Sequence, residues 1–126
     1  MANKVTEGIT LSITGLGSGS TSLAGSITFD QLGTNFTKET QIISASAGTL
    51  LDIGSAITEG NLGYLMVRNL DQNNSVDFAT DSAMTKPIAT IKPGKGNYVS
   101  PPAGTVGIYG KAQNADVQIC FLAIEA

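Results

Sequence analysis

Val117-Gln118-Ile119-Cys120-Phe121-Leu122-Ala123-Ile124 is the stretch that decides the fold. In an extended chain successive side chains point to opposite faces. Val117, Ile119 and Phe121 therefore share one face, and Cys120, Leu122 and Ile124 share the other. A strand apolar on both sides is either central in a sandwich or lies against another subunit. Cys120 sits inside this apolar run and is expected to be a buried, inert thiol.

The same period of two recurs upstream. Ile9, Leu11 and Ile13 alternate with Thr10, Ser12 and Thr14, and Ile27 and Phe29 alternate with Ser26, Thr28 and Asp30. Val106 and Ile108 are expected to point opposite to Tyr109. Turn chemistry separates these runs. Gly15 to Gly19 reads GLGSG, and with the residues up to Ser26 it is expected to form a mobile loop. Leu70 to Ser75 reads LDQNNS, a turn rich in Asp and Asn. Pro93-Gly94-Lys95-Gly96-Asn97 predicts a turn between Ile88–Ile91 and Tyr98–Val99. Gly110 to Asp116 predicts a hairpin turn with Gln113 and Asn114 near its tip.

No stretch carries a helical stripe. Ala45 to Ile57 comes nearest, but Gly48 and Gly54 interrupt it, so it reads as a strand or an irregular turn. The spacing predicts an all-β fold. It takes the form of a single-domain antiparallel β-sandwich over residues 1–126, jelly-roll-like, with about eight to ten short strands and a short flexible N-terminal segment. A small barrel is the remaining option.

Composition narrows the function. Only 13% of the 126 residues are charged, against about 25% in typical soluble domains. Interface cores are depleted of charge in the same way. A net charge of −3 with seven scattered Lys and Arg gives no basic patch for nucleic-acid phosphates. No apolar run approaches the roughly 20 residues of a membrane helix. Met1-Ala2-Asn3-Lys4 leads into alternation and not into an apolar signal region. One cysteine excludes an intrachain disulfide.

The chain contains no histidine, so the commonest general base and the Ser-His-Asp and Cys-His arrangements are absent. Carboxylate-only chemistry needs two paired acids. Asp71, Asp77 and Asp81 are the only local acidic group, and they read as solvated turn and strand-edge residues. Asp71, Asn73 and Ser75 begin like a calcium loop, but Val76 and Ser82 stand where that loop needs Gly and Glu. Gly15-Leu16-Gly17 begins like a dinucleotide fingerprint, but Ser20 stands in place of the third glycine and no helix follows. No catalytic residue, metal ligand or cofactor site is expected. Tyr64, Tyr98 and Tyr109 are the residues that would form a sugar-stacking platform.

From Gly63 the chain reads GYLMVRNLD, then NNSVDF from Asn73, IKPG from Ile91, IYGKA from Ile108, DVQ from Asp116 and LAIE from Leu122. This order resembles small structural proteins of tailed-bacteriophage virions, over about half of the chain. The resemblance implies a non-enzymatic capsid decoration or cement protein of jelly-roll type. It would be made in the host cytoplasm, located on the capsid surface and acting as a homotrimer on the major capsid protein. A tail or fibre component is the alternative within that class, and a carbohydrate-binding β-sandwich module is the alternative outside it. Arg68, within an apolar strand, must snorkel or pair. The interface candidates are Arg68, Val117, Ile119, Leu122 and Ile124.

Overall fold

The computed structural model describes residues 3–16, 19–31, 36–54, 57, 60–99, 101–102 and 104–125. The chain divides into two compact units, Met1–Thr34 and Asn35–Ala126.

The first unit is a long antiparallel hairpin of β1 (Asn3–Leu16) and β2 (Gly19–Gln31). Its register opposes Val5 to Phe29, Thr6 to Thr28, Leu11 to Leu23 and Ser12 to Ser22. The alternation read around Ile9–Ile13 and Ile27–Phe29 thus becomes strand. The expected loop Gly15–Ser26 does not form as such: Gly19–Ser26 is the first half of β2, because its Ser, Thr and Leu residues continue the ladder. The expected flexible start is strand from Asn3 onward. Gly17 and Ser18 lie outside the described residues.

The second unit contains two antiparallel sheets of four strands. Its strands are β3 (Phe36–Ile43), β4 (Thr49–Leu50), β5 (Leu62–Asn69), β6 (Val76–Ala79), β7 (Pro87–Ile91), β8 (Gly96–Val99), β9 (Tyr109–Ala112) and β10 (Val117–Glu125). One sheet runs β3-β10-β5-β8 and the other β4-β9-β6-β7. The pairings nest: β3 with β10, β4 with β9, β5 with β8, β6 with β7. A long antiparallel ribbon rolled over itself gives this order, and it is the jelly-roll topology. The all-β sandwich expected from alternation is the observed fold of Asn35–Ala126, and β1 and β2 form a two-stranded sheet of their own.

The core lies between the two sheets. Leu65, Val67, Val117 and Ile119 from the first sheet meet Val76, Phe78 and Ile91 from the second, all essentially inaccessible to water. Fully burying a side chain of this size stabilises by about 1.5–3 kcal/mol. Gly110 allows a close approach in the core, since a methyl there would reach Phe78 and Ile43 at 3.1–3.2 Å.

Two local expectations change. Residues 105–108 are not strand; Val106 is exposed while Ile108 is buried, so they do not share a face. The turn after Ala112 passes through Asn114 at φ 75°. It joins strands of different sheets, so it is a sheet-to-sheet crossing and not a hairpin.

Candidate functional site

β10 lies between β3 and β5, so one of its apolar faces fills the core and the other faces outward. This divides the interface candidates. Val117 and Ile119 are fully buried in the sandwich and offer no surface. Their period-two partners are the outward ones: Leu122 and Ile124 are half-buried, and Arg68 is exposed. Cys120 is also half-buried on the outward face, not sealed in the core as expected.

Register assembles these residues into rows across the sheet. Phe36, Ile124 and Tyr64 form one row. Lys38, Leu122, Met66 and Tyr98 form the next. Thr40, Cys120, Arg68 and Gly96 form the third. Phe36 is 64% exposed and Met66 49%. Tyr64 stacks on Tyr98 with ring centroids 6.1 Å apart and planes 28° from parallel. Offset aromatic pairs at this separation are favourable beyond their area. Tyr109 belongs to the other sheet, so the three tyrosines do not form one platform. Lys38 and Arg68 are the only charged residues in these rows, and neither has an acid as its register neighbour. An apolar surface of this kind, with aromatics, Met and Arg, has the composition of an interface core.

The three clustered aspartates serve the backbone. Asp71 Oδ1 accepts from the N–H groups of Asn73 and Asn74 at 2.7 and 2.6 Å. These two bonds hold its carboxyl below the usual range. The Asp71 carbonyl in turn accepts from Gly94 N at 2.9 Å, which ties the LDQNNS turn to the KPG turn. Gly94 has φ 68°, a conformation glycine adopts without strain. Asp81 accepts from the Thr85 hydroxyl and from the N–H of Lys86 and Thr85. The Thr85 hydroxyl is the main cause of its lowered pKa. Asp77 instead holds Thr90 and Gln113 across the second sheet. With their oxygens so engaged, the three do not converge, and among the described residues no group of three or more potential ligands forms a metal site.

One feature escaped the sequence. β3 grips the end of β4 and the segment after it: Gln41 Nε2 donates to Leu50 O at 2.8 Å, and Gln41 Oε1 accepts from Asp52 N at 3.0 Å. Thr37 Oγ1 donates to Ile53 O on the same side. A Gln and a Thr two turns of the pleat apart carry no local sign of this partner.

Comparison with protein-family models, curated proteins and solved structures found no match for this chain.

Proposed function

We propose that this chain is a non-enzymatic structural protein of a bacteriophage virion, a decoration or cement protein that self-associates and binds the head surface to stabilise it. The observation that carries the reading is the outward face of β3-β10-β5-β8, apolar in most of its positions and partly solvent-exposed. Exposed apolar faces mark association surfaces. Many such contacts, repeated over a shell, add by multivalency. The jelly roll is a frequent architecture of viral capsid and lectin domains, but a fold alone does not assign a function. The virion assignment rests on the order GYL-x-x-RNLD, KPG, Y-x-KA, and in this structure the NLD and KPG elements form one bonded unit.

Antibody labelling of purified particles in electron micrographs tests it. The expected outcome is label over the whole icosahedral head. Label confined to the tail sinks the head assignment and favours a tail or fibre component.

The Tyr64–Tyr98 pair favours a second reading, a carbohydrate-binding module. It requires saturable glycan binding that Tyr98→Ala removes, and a glycan array without hits disposes of it.

A further inference from the structure

The outward sheet face and a second surface of the same unit are complementary in charge. On the outward face, Lys38 and Arg68 stand among apolar residues with no acid in their rows. The second surface is the side where the edge strands β3 and β4 meet. Gln41 holds Leu50 and Asp52 there. Leu50 is 52% exposed and neighbouring Val106 60%. Leu50 lies over Gly107, where an added methyl would meet its Cδ1 at 2.8 Å. Glu39 and Asp52 are exposed on this side, and no cation occurs at 37, 39, 41, 50–53 or 105–108. One surface is apolar with two cations; the other is apolar with two carboxylates.

We propose that the outward face of one copy docks on the β3–β4 side of a second copy, with Lys38 and Arg68 meeting Glu39 and Asp52. The occupant is a second copy because the chain itself carries the matching surface. A pairing of two outward faces is disfavoured, since it sets two cations of each copy against two of the other with Glu39, which lines a pocket beside Lys38, Thr40 and Cys120, as the one acid at their margin, and like charges suppress such pairings. A contact between two different surfaces closes either as a twofold pair, with each surface of one copy meeting the other surface of its partner, or as a ring of three or more copies. This deepens the assembly reading above and rests on it only for self-association.

Analytical ultracentrifugation of the full chain at high micromolar concentration is the test, with thermal midpoints to confirm folding. The parent chain is expected to assemble. The K38E/R68E variant changes two exposed side chains, so it is expected to keep its midpoint and to associate at least about tenfold more weakly. The E39K/D52K variant also removes the bond from Gly54 N to Asp52 Oδ1 at 3.1 Å, so it is expected to lower the midpoint slightly while staying folded, and to associate at least about tenfold more weakly. Combining all four substitutions reverses both surfaces and is expected to restore assembly. A monomeric parent chain, parent-like assembly of K38E/R68E, or a quadruple variant that stays dissociated would each overturn the contact. Head labelling is read separately: an assembled chain that never labels heads defeats the virion reading and leaves this contact standing.

Discussion

Asn69, the last residue of β5, donates from its side-chain nitrogen to the main-chain carbonyl of Ile91, the last residue of β7, at 3.2 Å. The bond joins the two sheets at one end of the sandwich. The same nitrogen donates to Asn74 O at 2.8 Å, and Asn69 Oδ1 accepts from Asp71 N at 2.9 Å. Asn69 is fully buried, so each of these groups is satisfied where water does not reach.

Asn69→Leu keeps the volume and removes every one of these bonds. Buried groups left unpaired cost about 1–3 kcal/mol each. Allowing for relaxation toward solvent at the turn, the expected loss is about 3 kcal/mol. Urea denaturation checks it. A loss under about 1 kcal/mol would mean that the sheets do not depend on this residue.

The aspartate turns make stability depend on acid pH. The Asn73 and Asn74 N–H groups lower the Asp71 pKa, and the Thr85 hydroxyl lowers that of Asp81. The folded state therefore binds these protons more weakly than the unfolded chain does. The contribution is fully present above the ordinary carboxylate value of about 4 and is lost as pH falls through the lower folded values. Urea midpoints measured from about pH 6 down to about pH 2 should fall on the acid side. In the D71N/D81N double variant that fall should be shallower; an unchanged acid limb would count against both turns.

The parts of this fold legible in the sequence are those set by neighbours along the chain. Alternation marked β10 as two-sided, and the structure places it at the centre of a sheet. Asp71 and Gly94 were readable as turn residues because the Asp71 bonds span few positions and the place of Gly94 follows from its backbone angle. What was not legible depends on distant partners. Gly110 to Asp116 has hairpin chemistry, yet β9 pairs with β4 and β6, while β10 pairs with β3 and β5. Gln41 holds a segment nine residues away, and nothing in its surroundings announces it. The outward face became visible only when the register set Lys38, Leu122, Met66 and Tyr98 side by side.

Two glycines are required for different reasons. At Gly48 an added methyl would run into the main-chain carbonyl of Ser82, so one of the two turns must move. Gly48→Ala is expected to cost about 2 kcal/mol, within the range for forced overpacking. Gly94 has open space around it, and its φ of 68° is the whole constraint. Gly94→Ala is expected to cost about 1 kcal/mol. Denaturation of both variants checks the order; a larger loss at Gly94 would reverse the assignment of cause.

Ile119 and Leu122 lie three residues apart on one strand and face opposite ways. Ile119 is inaccessible in the core, and its truncation to Ala leaves a cavity between the sheets. The expected loss is about 2–5 kcal/mol. Leu122 is half-buried on the outward face, paired with Lys38 and Met66. Leu122→Ala is expected to cost under about 1 kcal/mol in the dissociated chain, because nearby side chains and water take up the space. In the assembled protein the order of effects should differ. Leu122→Asp should weaken association by at least about tenfold through a desolvated carboxylate, while Ile119→Val should leave association unchanged. Denaturation at low concentration and sedimentation at high concentration separate the two roles. Equal stability losses at both positions would mean that the outward face of β10 is already covered within one chain, and that the surface assigned to assembly is not available to a partner.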